Sequence, residues 1–408
     1  MRVRTTAVLV LALGALAACS PGGTTADSGA ASSPPAPAPT TASPSASPTG
    51  EPSSPGPGPE DGDATPDAQD PADWSLERKV GQLIMVGGPV AEGGVHDATR
   101  TAVVDHHVGN VFLHGRSEAG LDATRELVEE YTALAAGDDP PMLVATDQEG
   151  GNVQVLRGPG FSDIPAATEQ ATWPRDRLER RAERWGGELA DAGINLNLAP
   201  VMDLVPADNQ SANAPIGYYS RNYGNTAASV VDSATAFSAG MQAAGVEPVI
   251  KHFPGLGRVS ENTDTSADVV DDTVGPGSKD VEVFAAGIDA GARFVMLSNA
   301  VYTKIDPDRP ATFSPAVVDL LRDDLGFDGV IVTDDVSAAS AVQDRTPAER
   351  AVDAVSAGVD LVLASADPSV VPAMTDAVVE RARDDPDFAA QVDAAVERVL
   401  AAKADLDR

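Results

Sequence analysis

Eight short apolar runs, recurring along the chain from Trp74 onward, constrain this sequence more than any other feature. They are GQLIMVGG, GNVFLHG, PMLVATDQ, INLNLAPVMDL, EPVIKHF, RFVMLSNA, DGVIVTDD and VDLVLAS. Near-continuous Val, Ile and Leu, rather than alternation, describes parallel strands covered on both faces. Between most runs lies a segment with helical signals, such as DRLERRAERWGGELADAG or ASVVDSATAFSAGMQAAG, each closing on glycine. Eight strand-helix units predict an α/β fold of the (β/α)8 TIM-barrel type, a single domain over residues 74–408. The alternative is a doubly wound open sheet, which usually has fewer strands and a glycine-rich first turn. GLGRVS at 255–260 lacks the third glycine of that turn and is no dinucleotide site.

The polar residues gather where a barrel uses them. Asp147 follows PMLVAT, Asp203 follows LAPVM, Lys251 and His252 follow EPVI, Asn299 follows FVMLS, and Asp334-Asp335 follow VIVT. These are the C-terminal ends of strands, where barrel enzymes build their sites. Any one of them can be a strand-end cap or a solvated rim residue. Five converging on one face make a pocket the better account. A Lys-His pair ending a buried run is costly, and chemistry is the reason to keep it.

The remainder of the chain reads differently. Arg2 and Arg4 precede a short apolar run ending LAAC, a secretory signal over residues 1–19 that resembles a bacterial lipobox. Cys19 is the single cysteine, so an internal disulfide is impossible and a lipid anchor suits it. An ordinary signal peptide that removes Cys19 is the other reading. Residues 20–73, rich in Pro, Ser, Ala and Thr, cannot form a core and are expected to be a disordered tether. The chain is then exported and held at the extracytoplasmic face of the membrane. A formal charge of −34 argues against a nucleic-acid partner, because phosphate binding needs clustered Lys and Arg. No HExxH, cysteine ligand set or phosphate loop occurs, so no metal or organic cofactor is implied.

DQEGGNVQ (147–154), NLAPVMDL (197–204), SRNYG (220–224), KHFPGLG (251–257) and GVIVTDDVS (329–337) resemble, in order, motifs of the family 3 glycoside hydrolases. The likeness is strongest to single-domain β-N-acetylglucosaminidases that trim peptidoglycan-derived sugars. It spans nearly all of residues 74–400. The resemblance implies a retaining mechanism through a covalent glycosyl-enzyme. Asp334 matches the nucleophile, with Asp335 as a supporting acid; an N-cap for VSAASAV is the structural alternative for Asp334. Asp147, Arg221, Lys251 and His252 match residues that hold sugar hydroxyls. Asp203 either contacts the sugar or supports Lys251.

Two departures from the family pattern stand out. The position eight residues after Asp147, often an arginine that grips the sugar, is Val155 here, with Arg157 as a substitute. The family's KHFPGHG followed by an Asp-Ser-His acid/base is here KHFPGLG, with Leu256 for the second His and Asn262-Thr263-Asp264 for the dyad. Asp264 is the expected proton donor, with a pKa raised by burial and by Asp334 and with Asn262 donating a hydrogen bond to orient it. Glu261 is the second candidate, and an absent or external acid the third. The last stretches, VPAMTDAVVERARDD and QVDAAVERVLAAKADL, read as two closing helices.

The resemblance therefore implies a retaining exo-β-N-acetylglucosaminidase acting as a monomer on cell-wall or chitin-type oligosaccharides. The alternatives are a family 3 enzyme of β-glucosidase-like or transfer specificity, and a sugar-binding lipoprotein with impaired turnover.

Overall fold

The computed structural model describes residues 70–406, apart from 92, 136 and 138. Cys19, the signal segment and the tether up to residue 69 lie outside the described residues.

All eight apolar runs form strands of one parallel sheet. They are β1 (Ile84–Pro89), β2 (Asn110–His114), β3 (Leu143–Thr146), β4 (Leu196–Asn197), β5 (Glu247–Phe253), β6 (Phe294–Leu297), β7 (Val330–Thr333) and β8 (Val362–Ala364). Each pairs with its sequence neighbour from β1 to β7, and β1 also pairs with β8. A parallel bridge between Val332 and Leu361 joins β7 to β8 and closes the ring. The closed ring excludes the open doubly wound sheet.

Helices surround the barrel. Their starts follow local chemistry: Thr226 caps α5 (Ala227–Ala243), Ser278 caps α6 (Lys279–Asp289), and Thr346 with Glu349 makes a reciprocal capping box on α7 (Pro347–Ala357). The earlier helices are α1 (Leu76–Gln82), α2 (Asp97–Asp105), α3 (Leu121–Thr132) and α4 (Arg175–Asp191). The two closing helices are α8 (Val371–Asp384) and α9 (Pro386–Leu406). Near its end, α9 sends Lys403 beneath the barrel, where Nζ donates to Gln82 Oε1 at 2.7 Å and to the Gly109 carbonyl at 2.9 Å. Burial pushes this ammonium down to about 7.

One run departs from the expectation. The INLNLAPVMDL run is regular strand only at Leu196–Asn197, because Pro200 has no N–H to continue the ladder. Beyond it, Val201 makes an isolated bridge to Lys251. The EPVIKHF run is strand throughout, as expected, and Lys251 and His252 belong to the end of β5.

Candidate active site

The C-terminal mouth of the barrel holds a polar cavity of about 170 Å³. Phe112, Leu198, Met296 and Leu363, side chains from inside the ring, form its apolar part. Asp147, Arg221, Lys251, His252, Asp264, Asp334, Asp335 and Ser365 supply its polar lining. Residues separated by more than a hundred positions meet here because successive strands end on one face.

One wall is a quartet of charges. Lys251 Nζ lies 2.6 Å from Asp147 Oδ1 and 2.8 Å from Glu149 Oε1. Arg221 grips the same glutamate with both arms, Nε to Oε2 at 2.8 Å and Nη2 to Oε1 at 2.7 Å. Burial alone would raise the Glu149 pKa, but Arg221 and Lys251 overcome it and hold the carboxyl at about 2. Burial likewise opposes the charge on Lys251, and Asp147 and Glu149 reverse that effect and raise its pKa. Two cations and two carboxylates balance, which is what makes so many charges tolerable in a buried wall.

Glu149 was not anticipated, although it lies within DQEGG. The signal available was position: Glu149 stands two residues after Asp147 in the same motif, where it can reach the same cations.

His252 stands on a second pair. Its Nδ1 lies 2.7 Å from Asp203 Oδ2, while Asp203 Oδ1 accepts from the backbone N–H of His252 at 3.2 Å and of Leu256 at 2.7 Å. A carboxylate only accepts, so Nδ1 carries the proton and Nε2 is left as the ring's other hydrogen-bonding atom. Asp203 itself is 0% exposed and does not line the cavity. It neither reaches into the pocket nor touches Lys251; it orients His252 and fixes the start of the loop after β5. That loop lies directly on the one after β4, since a Cβ at Gly257 would stand 2.1 Å from the Leu204 carbonyl oxygen.

Asp334 follows β7, whose end is tied to β6 by the Asp334 N–H on the Leu297 carbonyl at 3.1 Å. Its Oδ1 accepts from the Asp335 N–H at 2.8 Å, and it has no ion pair among the described residues. Burial pushes its pKa up to about 6, with Asp264 adding to the rise and His252 and Lys251 opposing it. Residues 336–339 are not helical, so Asp334 caps no helix. Asp335 does the structural work instead, accepting from the N–H groups of Ser337, Ala338 and Ser365 and from the Ser337 hydroxyl. Asn299 donates to the Asp335 carbonyl at 2.8 Å and stays out of the cavity.

The loop carrying Asp264 is docked across the mouth. The Asp264 carbonyl accepts from Ser340 N–H at 3.2 Å and from Ser340 Oγ at 2.9 Å, and the Thr263 carbonyl accepts from Ala341 N–H at 3.0 Å. Asp264 lines the cavity yet is an exposed residue, so the burial expected to tune it is not there. Asn262 does not donate to its carboxyl; Asn262 Oδ1 accepts from the Asp264 N–H at 2.9 Å and sets the turn. Glu261 is exposed and not part of the lining. Arg157 is no substitute for a sugar-gripping arginine. Its guanidinium is held by Asp163 at 3.0 Å and by the Gly151 carbonyl at 2.8 Å, while Val155 is buried.

Among the described residues, no group of three or more His, Cys, Asp or Glu is placed to hold a metal ion. None of the described helices is long and apolar enough to cross a membrane.

A closed barrel whose strand ends bring an unpaired carboxylate to a wall of balanced charges is an arrangement that suits a glycoside hydrolase. Comparison with known proteins narrows this. Residues 75–402 match the family model described as glycosyl hydrolase family 3 N terminal domain. The chain belongs to glycosyl hydrolase family 3. It is 35% identical over 268 residues to a beta-hexosaminidase of Stenotrophomonas maltophilia, covering 63% of this chain and 76% of that one. It is 31% identical over 376 residues to beta-hexosaminidase LpqI of Mycobacterium tuberculosis, covering 88% and 87%. The crystal structure of a beta-N-acetylhexosaminidase from Beutenbergia cavernae superposes with a TM-score of 0.80 at 59% identity, over 82% of this chain and 99% of that chain.

Proposed function

We propose that the chain is a retaining exo-β-N-acetylglucosaminidase that removes terminal N-acetylglucosamine from cell-wall or chitin-type oligosaccharides. The observation that carries this is Asp334, opening without an ion pair onto the same cavity as Asp147, Arg221, Lys251 and His252. The proposed chemistry has two steps. The Asp334 carboxylate attacks the anomeric carbon, the glycosidic C–O bond breaks, and Asp264 gives its proton to the departing oxygen. Water then attacks the glycosyl ester as Asp264 takes its proton, and Asp334 is released as carboxylate. Lys251, Arg221, Asp147 and His252 Nε2 read the hydroxyl pattern, and a wrong sugar leaves buried charges unpaired. The small cavity favours one terminal ring over the middle of a polymer. The signal-like segment and Cys19 support export and a lipid anchor outside the cytoplasmic membrane, and the enzyme is proposed to act as a monomer; Cys19→Ala is expected to release it from membranes.

A second reading rests on one observation, the exposure of Asp264. A poorly tuned acid gives a barrel that turns over only substrates with good leaving groups.

Azide separates the roles. Asp334→Ala is expected to lose hydrolysis of an activated aryl N-acetylglucosaminide, and azide to restore turnover with the α-glycosyl azide as product. With Asp264→Ala, azide takes the place of water at the glycosyl-enzyme and the product is the β-azide. Unchanged turnover in Asp334→Ala removes the nucleophile. Equal losses on good and poor leaving groups in Asp264→Ala make Asp264 structural.

A further inference from the structure

Among the described residues two aromatic side chains are exposed, and they are neighbours: Tyr218 at 66% and Tyr219 at 42%. Their rings meet edge to face, 5.0 Å between centroids, and neither phenol makes a hydrogen bond among the described residues. Packing does not explain them. Other aromatic side chains of the fold, such as Tyr131, Tyr223 and Tyr302, are buried.

Their position follows from the loop that carries them. Pro215 and Arg221, three residues before Tyr218 and two after Tyr219, both line the cavity, and Arg221 Nη1 donates to the Pro215 carbonyl at 2.9 Å. Fully buried Asn213 fixes the base of the loop. Its Oδ1 accepts from Ile216 N–H at 3.2 Å and Gly217 N–H at 2.7 Å, and its Nδ2 donates to the carbonyls of Leu256 and Val259, both at 2.7 Å. Tyr218 N–H closes the turn on the Asn213 carbonyl at 2.9 Å. A Cβ at Gly217 would lie 2.4 Å from the Gln210 carbonyl oxygen, so the two sides of the loop are in contact. Ser220 has a left-handed backbone, φ 58°, at the step between exposed Tyr219 and cavity-lining Arg221. The aromatic pair is thus held at the rim of the cavity on a braced loop.

We propose that Tyr218 and Tyr219 are a stacking platform for the pyranose ring on the leaving-group side of the scissile bond. The apolar face of a sugar ring packs on an aromatic face, and two rigid tyrosines give that contact at little entropic cost. This inference rests on the glycosidase reading of the cavity and names what occupies its rim.

The test compares two substrates of the full chain. One is the β-N-acetylglucosaminyl fluoride, whose leaving group has no ring; the other is the N-acetylglucosamine trimer. Y218A/Y219A is expected to lose tenfold or more in kcat/KM on the trimer, mainly through KM, and to stay within twofold on the fluoride. Y218F/Y219F is expected to keep trimer activity, because stacking needs the ring and not the hydroxyl. In an Asp334→Asn background, calorimetry is expected to show trimer binding weakened tenfold by Y218A/Y219A, with N-acetylglucosamine monomer binding unchanged. Trimer activity unaffected by Y218A/Y219A, or equal losses on both substrates, overturns the platform and leaves the glycosidase reading standing. A chain that neither cleaves nor binds any of these compounds overturns both.

Discussion

At the scale of the residue, Asp334, which lines the cavity, and Glu149, buried behind Lys251 and Arg221, have opposite pKa shifts. Asp334 is pushed up to about 6, chiefly by burial, and in the proposed role of nucleophile only its ionised form is competent. The acid limb of kcat/KM on an activated N-acetylglucosaminide is therefore expected near pH 6. Asp264→Asn removes one of the charges that raise Asp334 and is expected to move that limb to lower pH. The stability consequence follows from the sign. A folded value above the ordinary 3.8 means the folded chain binds the proton more tightly, so stability falls as pH rises from 3.8 to about 6. Asp334→Asn is expected to stabilise the fold at pH 7 by about 1–3 kcal/mol, seen as a higher Tm, while turnover is lost. Glu149 runs the other way. Its value is lowered from 4.5 to about 2, so its contribution is complete above 4.5 and is lost as pH falls toward 2. Glu149→Gln strands Arg221 and leaves Lys251 with Asp147 alone, and denaturant titration at pH 7 is expected to show a cost of about 3–5 kcal/mol.

At the scale of the element, the site depends on loops that brace one another. The segment with Asp264 is fastened to the segment following Asp334 through Ser340 and Ala341. Ser340→Ala removes the 2.9 Å hydroxyl bond and keeps the backbone ones. At about 1 kcal/mol for such a bond, turnover of oligosaccharides with poor leaving groups is expected to fall about fivefold, with aryl glycosides unaffected. Equal falls would locate the effect in folding rather than in proton transfer. The strands were legible because burial on both faces writes long apolar runs, and their polar ends, Asp147, Lys251, His252 and Asp334, mark one mouth by position alone. What was not legible depends on pairing across loops. Asp203 reads like any other strand-end acid, and nothing in LAPVMDL tells that it turns toward His252 and away from the cavity. The exposure of Asp264 is set by where the loop lands on Ser340, 76 residues away. Glu149 was hidden by standing between better-marked neighbours.

At the scale of the whole molecule, charge is distributed unevenly. The chain carries a formal −34, yet the charged wall of the site pairs Lys251 and Arg221 with Asp147 and Glu149 and sums to zero. Buried pairs are little screened by salt, while the field around the molecule is screened within about 8 Å at physiological ionic strength. A neutral oligosaccharide is thus indifferent to that field, whereas a glycan fragment bearing carboxylates is repelled before it arrives. Raising salt from about 10 to 150 mM is expected to leave kcat/KM for a neutral N-acetylglucosamine dimer within twofold and to raise it several-fold for a carboxylate-bearing muropeptide fragment. Competition between the two in one vessel would show the ratio of their products following ionic strength. The balanced wall thus makes diet a matter of surroundings: the same pocket would favour uncharged ends in dilute media and accept acidic ones in brine.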